Sequence, residues 1–371
     1  MSLECGIFIP YTFTYIAEVS IMSTIFNILD FGAVPDAKSD STAAIQAALD
    51  KAGECMGEVI VPPGVYYTGR LTMRPQTKLT GTAAWLFGGY GGSIFRLNTD
   101  DTDCMIDISG AFGCQISGMN LEGERRGQNI HGVKLYWPEY NGGGKEDTPT
   151  FDDCKIGHFT GDGVHLEHIW CFSVRHSMLC FNTGAGLYID GWDGFILDNW
   201  FSGNGRGGIL GGPVVASVTT TGNRVEWNRV GGFVIPSGNT MNITGNYFDR
   251  SGGPALKLGS AGGNMESVTI TGNLINRSGK PGPGLETEEE NSHVLLEHCV
   301  NVTFTGNTLR HGRDDGGQGT WSPDIDLVVK DCDYCIFANN AMHHGAMKEN
   351  IRWDGHGECS FTGNLGKPVE G

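Results

Sequence analysis

The stretch T-I-T-G-N-L-I-N-R, residues 269–277, decides the fold. Its first residues alternate polar and apolar, as in a short strand with one face buried. Gly272 and Asn273 then break the alternation before a second short strand. The phrase returns as T-T-T-G-N-R-V-E-W (219–227), N-I-T-G-N-Y-F-D-R (242–250), T-F-T-G-N-T-L-R-H (303–311) and S-F-T-G-N-L-G-K-P (360–368), with F-A-N-N-A-M-H-H-G (337–345) as a variant. Its Asn residues fall at Asn223, Asn246, Asn273, Asn307, Asn340 and Asn364, 23 to 34 residues apart. Asn199, Ser177 and Cys154 keep the same frame upstream.

Each unit reads as three short strands separated by turns. None can bury a face alone, whereas stacked coils share one continuous core. The reading is an all-β protein, a parallel β-solenoid, with the Asn amides bonding from rung to rung at one corner. The 58 Gly among 371 residues fit turns that need positive φ, and they lack the every-third-residue period of collagen. With 39% hydrophobic residues the chain can build a core. Its 25 Lys and Arg against 42 Asp and Glu give a net charge of −17, which argues against a nucleic-acid partner.

Residues 1–22 read as an extension outside the core, and 23–371 as one domain. The first twenty residues lack the basic start and cleavage site of a signal peptide and are too short and broken to span a membrane, so the expectation is a soluble, cytoplasmic protein. Eleven scattered cysteines, an odd number, read as free buried thiols. The lone CxxC of Cys332 and Cys335 has no second pair to complete a zinc site.

Near the N-terminus the repeat gives way to D-F-G-A-V-P-D (30–36), D-S-T-A-A-I-Q-A-A-L-D (40–50) and V-P-P-G-V-Y-Y-T-G (61–69). Ser41 or Thr42 precedes Ile45, Ala48 and Leu49 at helical spacing, which predicts an N-capped amphipathic helix over the open end of the solenoid. This opening resembles that of the pectate-lyase-like superfamily, and with the repeats the resemblance covers residues 25–366. It implies a right-handed parallel β-helix with an N-terminal capping helix. It also implies a carbohydrate-active protein, since the superfamily holds polygalacturonase-like hydrolases, lyases, epimerases, fructan-transforming enzymes and tailspikes. A homotrimer is an assembly the resemblance allows.

Aligning the strands that follow the Gly-rich turns gives two outward columns. One holds His165, Tyr188, Leu210, Val234, Lys257, Leu295, Val328 and Arg352; the other holds Glu167, Asp190, Gly212, Pro236, Gly259, Glu297, Lys330 and Asp354. Glycoside hydrolysis needs two carboxylates, about 5–9.5 Å apart, and adjacent coils supply that spacing. Glu226 and Asp249 share a column and rank first as catalytic residues, because Trp227, Arg224 and Arg250 beside them suit sugar stacking and hydroxyl or carboxylate binding. Glu167 and Asp190 form a second pair, with His165, Tyr188 and Lys257 as further substrate contacts. Asp162, just before a strand in T-G-D-G-V-H-L, is a catalytic candidate from the resemblance to polygalacturonase-like enzymes, although their N-T-D-G, G-H-G and R-I-K motifs are absent.

Asp314, Asp315, Asp324 and Asp326 read as a polar insertion rather than a calcium cage, and E-T-E-E-E (286–290) as an acidic insertion. The expected function is therefore a glycosidase or glycosidic-bond-rearranging enzyme on an oligo- or polysaccharide, without metal or cofactor. The alternatives are a uronan lyase or epimerase, with Lys257 or Arg352 as base, and a non-catalytic glycan-binding scaffold.

Overall fold

The computed structural model describes residues 24–137, 146–279, 287–310, 322–355 and 357–369. The expected extension (1–22), Glu286 of the acidic insertion and the Asp314–Asp315 half of the polar insertion lie outside them. Strand, nearly all of it parallel, is the main regular structure of the described residues, with one α-helix at Thr42–Gly53. No helix among these residues is long and apolar enough to cross a membrane.

Successive coils stack three faces. Leu256–Leu258, Met265–Thr271 and Leu274–Asn276 are one coil's strands, and each pairs in parallel with its counterpart in the next coil, Ser292–Glu297, Cys299–Thr305 and Thr308–Arg310. Alternate residues point inward, so Phe201, Phe233, Phe248, Phe304 and Phe337 fill the core and the residues between them face out. The helix closes the first coil with Ile45, Ala48, Leu49 and Ala52 buried. Its N-cap residue Ser41 makes no capping bond with its side chain; the Asp40 carboxylate accepts the Thr42 N–H instead, at 2.9 Å.

The Asn ladder forms as read. From Asn199 to Asn340, each residue donates both its backbone N–H and its Nδ2 to the Oδ1 of the Asn one coil on, at 2.9–3.1 Å. The Ser177 hydroxyl and then Asn199 continue it upstream, accepting the N–H of Cys154 and Ser177. A second ladder, Asn182–Asn204–Asn228, runs along another corner. These amides satisfy backbone groups that a buried turn would otherwise leave unpaired.

The first outward column holds its register from His165 through Tyr188, Leu210, Val234, Lys257, Leu295 and Val328 to Arg352. Within this column Leu210, Leu295 and Val328 are buried. The ten described cysteines are free thiols. One departure from the solenoid is a hairpin, Ala83–Leu86 with Gly89–Leu97, the sole antiparallel strand pairing among the described residues. It folds over the third face. There the buried Lys155 ammonium donates to the carbonyls of Leu86, at 2.6 Å, and Gly89.

Candidate active site

The solenoid divides the sequence-predicted residues between two faces. On the first face, the strand beginning at Val164 carries His165 and Glu167 outward beside Tyr188 and Asp190 of the next coil. Asp162, two residues before that strand, is buried beneath them. Its Oδ1 accepts the Ala185 N–H at 2.6 Å, and its Oδ2 lies 2.7 Å from His165 Nδ1. Burial works against the Asp162 charge, but the His165 and Ala185 hydrogen bonds outweigh it and hold the carboxyl below its ordinary range.

His131 occupies in its own coil the position Asp162 takes in the next, since Val133 pairs with Val164. It is buried, and its Nδ1 accepts the Asp162 N–H at 2.9 Å, so any ring proton sits on Nε2. Burial first, then the neighbouring His165, push its pKa down to about 4. His131 is thus neutral across the physiological range.

His165 is fixed from several sides. Its ring stacks on Tyr188 with centroids 4.5 Å apart and planes 7° from parallel. With Nδ1 directed at Asp162, Nε2 is the outer nitrogen, 3.3 Å from Glu167 Oε2. The Tyr188 phenol is pushed up to about 12, by burial and then by the charges of Asp190 and Glu167, so it stays protonated at neutral pH. Asp190 accepts the Val214 N–H at 3.0 Å, and burial raises its pKa above the usual carboxylate value. Gly212 leaves room for both: a Cβ there would lie 2.7 Å from Tyr188 Oη and from Asp190 Cβ. Lys134, in register with His165, brings an ammonium to the same face, held 3.0 Å from Asp103. Tyr136 is in register with Glu167, and His168 Nε2 lies 3.9 Å from Asp190.

His131, Lys134, Tyr136 and His168 are the members that the repeat-based reading misses, while Gly212 stands in its second column. The signal was available in H-G-V-K-L-Y (131–136), which continues the column one coil upstream without the Asn marker. One ligand atom each from His131, Asp162 and His165 lies within 4.8 Å of the others, a spacing that suits a metal. Those atoms are already hydrogen-bonded among themselves, which favours an acid–base network. Lys257 does not join the site: it lies three coils beyond Tyr188 and pairs with Glu290 of the acidic insertion at 2.6 Å. Arg352 similarly pairs with Glu288 and Glu349.

Glu226 and Asp249 lie on the third face, in register with each other and away from Asp162. Both are buried. Glu226 accepts from Trp200 Nε1 and Arg224 Nε, each at 2.8 Å. Asp249 takes the fork of Arg277 at 2.9 and 2.7 Å, Arg250 at 2.6 Å and Asn276 at 3.1 Å. Arg224 and Arg250, which single this pair out in sequence, are the carboxylates' own partners, and the tryptophan bonded to Glu226 is Trp200 rather than Trp227. Trp227 stays largely exposed, with the Arg250 guanidinium 4.9 Å from its ring centre.

Known proteins resemble this chain in sequence and in structure. A profile of the right-handed β-helix region matches residues 106–275 and 162–324, more than half the chain together. A rhamnogalacturonase A/epimerase, pectate-lyase-like profile matches residues 25–88. The mannuronan C5-epimerase AlgE5 of Azotobacter vinelandii is 27% identical over 254 residues, 63% of this chain. That match covers 22% of the relative, so the chain spans about a fifth of its length. The A-module of mannuronan C-5 epimerase AlgE6 from the same organism superposes with a TM-score of 0.65 at 17% identity, covering 92% of this chain and 99% of the module. DFA-IIIase from Arthrobacter chlorophenolicus A6 superposes with a TM-score of 0.63 at 12% identity, over 91% and 94% of the two chains. The protein is thus a member of the right-handed β-helix family, within the pectate-lyase-like superfamily.

Proposed function

We propose that the first face acts on a polysaccharide containing uronic acid, removing the proton at C5 beside the carboxylate and returning one to the same carbon. The observation that carries this reading is the stacked His165–Tyr188 pair, with the imidazole tied to the buried Asp162. His165 Nε2 takes the C5 proton, and the resulting imidazolium lies between Asp162 and Glu167, whose negative charges favour its formation. The electron pair left on C5 spreads into the uronate carboxyl group. Lys134, in register with His165 on the same face, is placed to offset the charge that builds there. Tyr188, still protonated, gives its phenolic proton to C5 and recovers one from the imidazolium through solvent. Return on the opposite side of C5 is epimerisation, the reaction in the name of the curated relatives, and mannuronan is the first substrate to try.

A second reading, hydrolysis, is favoured by Glu167 and Asp190, neighbouring carboxyl groups in adjacent coils, with burial raising the pKa of Asp190 above the usual carboxylate value. Incubation with polymannuronate in D₂O separates the two. Epimerisation puts deuterium at C5 and converts residues to guluronate by NMR with no gain in reducing ends. Hydrolysis releases reducing ends without deuterium. Unchanged polymannuronate, polyguluronate and polygalacturonate would sink both.

A further inference from the structure

The third face carries an arrangement that the C5 chemistry does not use. In its strands Trp200, Arg224 and Tyr247 form one outward row, and Ser202, Glu226, Asp249 and Asn276 form the next. The corner beyond holds Trp227, Arg250 and Arg277, all with positive φ. The second row is therefore a floor between two walls. Its residues are buried, and two of its polar atoms, Ser202 Oγ and Asn276 Oδ1, have no hydrogen-bond partner. An unpartnered buried oxygen is costly unless something else reaches it.

The walls are aromatic and cationic. Arg224 is sandwiched between Trp200 and Tyr247, 5.6 and 4.7 Å from their ring centres, with half of its side chain exposed. Phe87, at the hairpin tip, stacks on Trp200 at 5.2 Å. Three guanidiniums, of Arg224, Arg250 and Arg277, stand against the two carboxylates of Glu226 and Asp249, and the exposed Arg310 continues the floor row past Asn276. In a chain of net charge −17 these guanidiniums form a cluster of cations on one face. Buried carboxylates orient arginines that rise in successive coils about 4.8 Å apart, beside an exposed tryptophan. Guanidiniums suit carboxylates, and indole faces suit sugar rings.

We infer that this trough is a second, non-catalytic site that binds a strand of an acidic polysaccharide, its carboxylates on Arg224 and Arg250 and a ring face on Trp227. The inference shares its ligand class with the proposed function but none of its residues, so either can fail alone. Binding is read by affinity electrophoresis in gels containing polymannuronate, polygalacturonate or neutral dextran, with His165→Gln protein so that the polymer is not altered.

The expected result is retardation by at least one polyuronate, weakened by salt and absent with dextran. Trp227→Ala and Arg224→Gln should each weaken it about tenfold. Trp227 is exposed, so its variant keeps the test valid if Arg224→Gln disturbs the fold through Glu226. Equal retardation of the Trp227→Ala protein, equal retardation by dextran, or no retardation of His165→Gln protein by any polyuronate while the wild type is retarded would each overturn the site. So would a wild type that no polyuronate retards.

Discussion

Replacing Asp326 with Asn should stabilise the protein, and increasingly so as pH rises. Asp326 has no exposed surface. Its Oδ2 accepts from Asn350 Nδ2 at 3.0 Å, while Oδ1 has no hydrogen-bond partner. The nearest base, His293, has Nε2 4.0 Å from Oδ1 but directs it to the Gly345 carbonyl at 3.0 Å. Burial alone therefore raises the Asp326 pKa well above its ordinary value. A raised folded-state pKa means that the native chain keeps a proton the unfolded chain releases near pH 4. The stabilising contribution is complete below that pH and is lost as pH climbs toward the folded-state value.

The slope is on the order of 1 kcal/mol per pH unit wherever the native carboxyl keeps its proton and the unfolded one has lost it, so the gap between variant and wild type should widen from pH 5 toward the folded-state value. Asn fills the same space and cannot ionise. Urea unfolding of both proteins at pH 5, 6 and 7 measures the gap. Parallel stability profiles would refute the reasoning, because they would mean that Asp326 binds no more protons folded than unfolded.

His165→Gln and Tyr188→Phe should each cut turnover on the active polyuronate at least a hundredfold while leaving thermal stability within a few degrees, checked by NMR rates and melting curves. Gly212→Ala should slow the same reaction, because its methyl would collide with Tyr188 Oη, and kcat should fall more than KM rises. Asn246→Ala should cost about 3 kcal/mol in urea unfolding, since it strips acceptors from the Asn223 N–H and Nδ2 and donors from the Thr220 carbonyl and Asn273 Oδ1. Lys155→Met should free the hairpin from the third face, seen as faster proteolysis between Leu86 and Gly89 with the rest of the chain intact.

The columns were legible because T-G-N fixes each rung's phase, and a strand's phase decides which side chains share a face. His165, Tyr188, Glu167 and Asp190 could thus be placed side by side from spacing alone. The ranking of candidates was less legible. An Arg two residues before a Glu reads the same whether it awaits a ligand or neutralises that Glu, and Arg224 does the latter. Arg277 neutralises Asp249 from the following coil, a pairing visible only once the coils are stacked. His131 and Lys134 escaped because their coil turns without an Asn. The hairpin escaped because one antiparallel excursion leaves no trace in a repeat.

The corner ladder tolerates very different amounts of chain between its rungs. Asn223 and Asn246 are 23 residues apart, Asn273 and Asn307 are 34 apart, and the amide bonds joining them are equally short. Position along the axis is therefore set by the corner, independently of how far the backbone wanders before returning to it. Segments such as the one bearing Glu288 and Glu290 could be lengthened, shortened or exchanged with those of a relative without shifting His165 against Tyr188. Ligand preference and scaffold can then change separately, and swapping such segments is a direct route to retargeting the molecule.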